Sequence, residues 1–111
     1  MSMQIAPEDL AEALADRPFG YLLTIGDDGR PRAIALVPIL DHGTVSLVFS
    51  LGSAGTLAAA AQRPQVSVLF APVDNDPYSI IVDGDAVVDE AAGTVSVRVA
   101  RAVRHRPAPG A

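Results

Sequence analysis

From Phe19 onward, short apolar runs alternate with turn residues, the texture of β-strands. FGYLLTI (19–25) predicts a first strand and meets the turn GDDGR (26–30), where Asp28-Gly29 signals a hairpin. RAIALVPIL (32–40) predicts a second strand, Asp41-His42-Gly43 a turn, and TVSLVFS (44–50) a third. VSVLFAPV (66–73), YSIIVDGDAVV (78–88) and TVSVRVARAV (94–103) bring the expected number to six. Ahead of them, Pro7-Glu8-Asp9 has the features of a helix start, with Pro in the first turn and acids at the positive end of the dipole. Leu10, Ala13 and Leu14 follow as an apolar stripe, and Arg17-Pro18 closes this short helix. A second helix is expected from near Ala54 to Gln62, stopped by Pro64. The pattern predicts one domain over 1–111: an N-terminal helix within 1–18, a six-stranded antiparallel barrel over 19–104, and a flexible Pro/Gly tail at 105–111.

Two runs depart from simple alternation. IALVPIL and VSVLFAPV are apolar on both faces, whereas a barrel strand with a solvated outer face should alternate. A homodimer packing barrel on barrel supplies the second cover. Composition agrees, because 50% hydrophobic residues and a mean hydropathy of +0.32 are high for a chain of 111 residues. A net charge of −5 and a pI of about 4.7 repel phosphate backbones, so no nucleic-acid partner is expected. The absence of cysteine excludes disulfides and thiolate chemistry and is compatible with a cytoplasmic location. MSMQIAPEDLAEAL lacks the order of a signal peptide, and no apolar run reaches membrane-spanning length, so no membrane association is expected.

The candidate chemistry centres on SLGSAGTLAAAAQRPQV (50–66). Gly52-Ser53-Ala54-Gly55 lacks the lysine of a Walker loop and the spacing of a dinucleotide fingerprint. What remains is a helix N-terminus with unpaired amides and the hydroxyls of Ser50, Ser53 and Thr56, a combination that attracts anions. The competing reading, which the residue types favour, is that Ser53 only caps the helix. Arg30 and Arg32 bracket Pro31 at i and i+2, pointing to one face where either could reach an anion at the barrel rim. His42 and His105 have no second ligand at metal spacing, and no metal site is expected. The acids of YSIIVDGDAVV face Arg98 and Arg101 across a hairpin as ordinary surface pairs.

Taken in order, YLLTIGDDGRPRAIALVPIL, VFSLGSAGTLAAAAQRPQVSVLF and YSIIVDGDAVV resemble the pyridoxamine 5′-phosphate oxidase-like proteins, the FMN-binding split-barrel group, from about Phe19 to Val88. The resemblance implies an intertwined homodimer of split barrels with FMN, or the deazaflavin coenzyme F-420, at the interface. It implies Arg32 as a phosphate ligand, the backbone of Ala33, Ile34 and Ala35 along the isoalloxazine edge, and Ser50, Ser53 and Thr56 at the phosphate end. Gly55 and Thr56 stand where relatives commonly place an Arg-Lys or Lys grip on the phosphate. A hydrogen bond to a charged group contributes roughly 1.5–3 kcal/mol, so losing one or two predicts binding weaker by about ten- to a thousandfold.

These expectations lead to a flavin- or deazaflavin-dependent oxidoreductase passing a hydride to a small acceptor. The cofactor then carries the chemistry, which explains why no acid–base pair is visible and no catalytic side chain is assigned. The alternative is a non-catalytic, degenerate split barrel that keeps the dimer and has lost tight FMN binding. Haem binding, the third possibility, needs an axial ligand such as His42, His105, Tyr21 or Tyr78.

Overall fold

In the computed structural model, which describes residues 2–51 and 53–110, the alternating runs pair into one curled antiparallel sheet. The strands are β1 (Ser2–Gln4), β2 (Gly20–Ile25), β3 (Pro31–Leu36), β4 (Ile39–Asp41), β5 (Ser46–Ser50), β6 (Gln65–Phe70), β7 (Ser79–Asp89) and β8 (Thr94–His105). Seven follow one another in the order β3-β2-β6-β7-β8-β5-β4, and β1 pairs with the far end of β8. A 3₁₀ turn at Pro7–Asp9 leads into α1 (Leu10–Leu14), and α2 spans Ala54–Gln62. This is a mainly β, antiparallel split barrel with two short helices. Among the described residues, no helix is long and apolar enough to cross a membrane.

The strand number corrects the expectation of six. The run 32–40 is two strands, because Pro38 has no N–H to give a ladder and the pairing breaks at Val37-Pro38. β3 and β4 then lie at opposite ends of the strand order. One continuous apolar run therefore turns the corner between the two ends of the sheet. β5 begins at Ser46 rather than Thr44, since Val45 sits at φ 49° in the left-handed region. β1, three residues long, carries no pattern by which it could be read as a strand.

The inner face is apolar and tightly covered. Leu22, Leu47, Phe49, Val68, Phe70, Ile80, Val82, Val95 and Val97 are buried there, joined by Leu10 and Ala13 of α1 and by Leu57 and Ala60 of α2. Each such Leu, Phe, Ile or Val contributes about 1.5–3 kcal/mol relative to exposure. The register of β7 and β8 shifts between Asp83 and Gly84: Asp83 opposes Arg101 and Gly84 opposes Val99, leaving Ala100 as the extra residue of a bulge. At this crossing β8 runs against the α-carbon of Gly84, where a Cβ would collide with the Arg98 carbonyl oxygen.

Arg17 ties the helical entry to the barrel. Its side chain is fully buried, donating through Nη1 to the carbonyls of Ala71 (2.8 Å) and Tyr78 (2.7 Å) and through Nη2 to Asp76 Oδ2 (2.7 Å). Arg104 donates to the same carboxylate oxygen at 2.6 Å. At the C-terminal end β8 continues to His105, and the Arg106 guanidinium lies 4.9 Å over the Tyr78 ring centroid.

The outer face of β3-β2-β6-β7 is unusual for a surface. The cross-strand registers align Ala35, Tyr21, Leu69 and Ile81 in one row and Ala33, Leu23, Ser67 and Asp83 in the next. Within the second row Ser67 Oγ donates to Asp83 Oδ1 at 2.6 Å, so this acid is engaged on its own sheet. Val37 and Ile39, at the corner between β3 and β4, are 72% and 73% exposed.

Candidate functional site

The local sequence shapes the site from two sides. On one, the β2–β3 hairpin closes with Gly29 at φ +76°, a left-handed position that glycine takes at least cost. Gly29 N donates to Gly26 O and Gly26 N to Arg30 O, both at 2.9 Å. On the other, α2 begins at Ser53, whose extended backbone and side chain form an N-cap: its Oγ accepts from Thr56 N at 3.3 Å and from Thr56 Oγ1 at 3.3 Å. The cap reading of Ser53 therefore describes the fold. A hydroxyl that accepts in this way still keeps its own O–H to donate elsewhere.

Between hairpin and helix lies an open cleft of about 370 Å³. Thr24, Gly26, Asp27, Arg32, Ala33 and Ile34 form one wall, and Ser53, Gly55, Thr56 and Ala59 the other. Five of the residues singled out from sequence, Arg32, Ala33, Ile34, Ser53 and Thr56, thus meet although residues 35–52 separate the two groups in the chain. Ala35 and Ser50 do not line it: Ala35 pairs with Tyr21 on the outer-face row, and Ser50 is exposed at the end of β5 opposite Thr94. Gly52, the first residue of the bend, lies outside the described residues.

The electrostatics of the cleft come from the turn. Arg32 Nη2 donates to Asp28 Oδ2 at 2.8 Å, while Asp28 Oδ1 accepts from the Arg30 amide at 3.0 Å. That amide, ahead of the Arg32 guanidinium, holds the Asp28 carboxyl below its usual range. Arg30 itself reaches the same carboxylate only at 4.0 Å and is 79% exposed. At the far end of α2, Arg63 donates to Asp27 Oδ1 (3.2 Å) and to the Ile25 carbonyl (3.4 Å). Sequence reasoning passed over Asp28 as a turn residue, although its four-residue spacing from Arg32 was a usable signal. Arg63 carried no signal, because only the fold brings the end of α2 to the β2–β3 turn.

No family model matches the chain. It is 35% identical over 111 residues to protein Mb0449c of Mycobacterium bovis and to protein MT0457 of Mycobacterium tuberculosis, covering 89% of this chain and 78% of each relative. Among solved structures it resembles the FAD binding protein from Mycobacterium smegmatis (21% identity, TM-score 0.67, 96% of this chain and 100% of that one). It also resembles a pyridoxamine 5′-phosphate oxidase-related, FMN binding protein from Nostoc punctiforme (22%, TM-score 0.61, 75% and 48%). An F-420 reductase matches at 20% identity and TM-score 0.60, over 86% and 93% of the two chains. The strand order and these likenesses agree on the fold, that of the split-barrel pyridoxamine 5′-phosphate oxidase-like proteins, and the chain belongs to the family of the two mycobacterial proteins.

Proposed function

We propose that the protein is a flavin- or deazaflavin-dependent oxidoreductase that holds FMN or F-420 in the cleft beside α2, at the interface of a homodimer. The observation that carries this reading is the convergence of Arg32, Ala33, Ile34, Ser53 and Thr56 on one open cleft. Its volume lies within the range of ligand pockets. The donor set fits a phosphorylated ring compound. A guanidinium stands on one wall, hydroxyls and the first-turn amides of α2 on the other, and Ala33, Ile34 and Ala59 offer apolar surface between them. At Gly55 a Cβ would meet only Ser53 Oγ, at 3.8 Å, so the first turn of α2 is open to close approach.

When bound, a flavin or deazaflavin supplies the hydride chemistry. The protein's own residues bind and orient: Arg32, Ser53 and Thr56 take the anionic end, and the backbone of Ala33 and Ile34 runs beside the ring. A second copy on the outer face of β3-β2-β6-β7 excludes water from the open side and covers Tyr21, Leu23, Leu69 and Ile81. FMN and reduced F-420 are expected to bind at micromolar levels by isothermal titration, with Arg32→Ala weakening binding at least about tenfold. Absence of heat and of thermal protection with both cofactors rules the reading out. For the dimer, Leu23→Asp is expected to convert the species seen by analytical ultracentrifugation from dimer to monomer, because it buries an unpaired carboxylate.

The second reading is a non-catalytic binding barrel. It is favoured by the intramolecular partners that Arg32 and Ser53 already have. It predicts a colourless dimer, inert with flavins whatever reductant is supplied.

A further inference from the structure

The inward-facing residues of β2 are Gly20, Leu22 and Thr24, all buried. The first two pack on apolar side chains of the core, whereas Thr24 brings a hydroxyl to a position only 3% exposed. Buried polar groups are as a rule hydrogen-bonded. Arg17, Ser46 and Thr56, the other buried polar residues, follow that rule. Thr24 Oγ1 has no hydrogen-bond partner among the described residues. What Thr24 meets instead is the cleft beside α2, which it lines. Its register partner on β3 is Arg32. Residues directly opposite share a face, with Cβ atoms about 4.5–5.5 Å apart, so hydroxyl and guanidinium lie side by side. Thr56, on the far wall, already spends its O–H on Ser53 Oγ, while Thr24 keeps its one donor free. At this end Arg30, Arg32 and Arg63 face the carboxylates of Asp27 and Asp28, an excess of positive charge that suits an anion.

We infer that Thr24 is a further ligand-binding residue of the cleft: its buried hydroxyl donates to the phosphate group that Arg32 pairs with. This rests on the flavin reading above. Burial gives the bond its strength, because a charge-assisted hydrogen bond is worth more where the local dielectric is low. The same burial makes the hydroxyl a burden to the ligand-free protein, which gains nothing from it. Binding and stability therefore respond to this side chain with opposite signs. A threonine kept for the fold would show the reverse, a loss of stability with no selective effect on phosphorylated ligands.

The test uses Thr24→Val, which keeps the shape and removes the hydroxyl, and Thr24→Ser, which keeps the hydroxyl. Fluorescence titrations compare two pairs that differ by the phosphate-bearing group: FMN with riboflavin, and reduced F-420 with its phosphate-free ribityl deazaflavin. In the pair that binds, Thr24→Val is expected to weaken the phosphorylated ligand about tenfold and its phosphate-free counterpart less than twofold. Thr24→Ser should hold the phosphorylated ligand within about threefold of the wild type. Thermal melts of the ligand-free proteins should place Thr24→Val level with the wild type or above it, since an apolar group of the same shape replaces an unpartnered hydroxyl. An undiminished affinity of Thr24→Val for the phosphorylated ligand overturns the inference and leaves the flavin reading standing. So does an equal weakening of both members of the pair, or a ligand-free melting temperature lowered by more than about 5 °C. If no member of either pair binds the wild type, the inference and the flavin reading fall together.

Discussion

Replacing Gly84 with alanine is expected to lower the melting temperature by roughly 10–20 °C, the cost of about 2–3 kcal/mol of overpacking in a domain of this size. The position is unforgiving because of what meets it. A Cβ there collides with the Arg98 carbonyl oxygen and comes within 2.7 Å of Val97 Cγ1. The first obstacle is backbone of β8, which cannot rotate away as a side chain would. The clash falls where the β7–β8 register shifts, so relief requires the bulge at Ala100 to move and the longest hairpin of the barrel to repair with it. Gly55→Ala is the matched control. Its Cβ meets only Ser53 Oγ at ordinary contact distance, and alanine is favoured over glycine in a helix by up to about 1 kcal/mol. Thermal melts should show Gly84→Ala strongly destabilised and Gly55→Ala unchanged or slightly raised; equal effects would mean the crossing is less close than described.

Arg17→Ala is expected to cost about 3–5 kcal/mol, a large share of what holds a domain of this size together. The buried guanidinium satisfies the carbonyls of Ala71 and Tyr78 and one oxygen of Asp76. Truncation leaves two carbonyls without their donor and opens a channel between α1 and the loop joining β6 to β7. Arg17→Lys should recover only part of the loss, since an ammonium cannot span the same fork. The cluster also gives a pH dependence. The Arg104 side chain first, and the Tyr78 amide next, hold the Asp76 carboxyl below its usual range. A depressed folded value stabilises above the unfolded one and is lost as pH falls through the folded value. Chemical denaturation should therefore show stability declining in acid, with a shallower decline in Asp76→Asn.

How much of this was written in the chain can be followed residue by residue. The β2–β3 hairpin was legible because Asp28-Gly29 encodes a turn locally, and α2 because its limits, a Ser cap and a following Pro, are local too. The division of 32–40 at Pro38 was legible in principle, since a proline inside a strand removes a donor, but the run's unbroken hydrophobicity concealed it. Arg17 was read only as the end of a helix. Its true partners lie 54 to 61 residues away, beyond the reach of any local pattern. The cleft divides the same way. Arg32 and the residues around Ser53 were identifiable from type and position, whereas the pairing of Arg63 with Asp27 exists only once α2 packs beside β2.

The sequence alone determined the alternation of strands, the two helices, the hairpin turns and the excess of apolar surface, all set by interactions within a few residues or by composition. Only the tertiary structure decided which strands adjoin, where β8 grazes Gly84, that Arg17 is a buried clamp, and that the cleft's guanidinium is already matched by an acid. The physical reason is range. Propensities, caps and turns are local free energies that the chain displays in order, while burial and ion pairing depend on distances that folding alone creates.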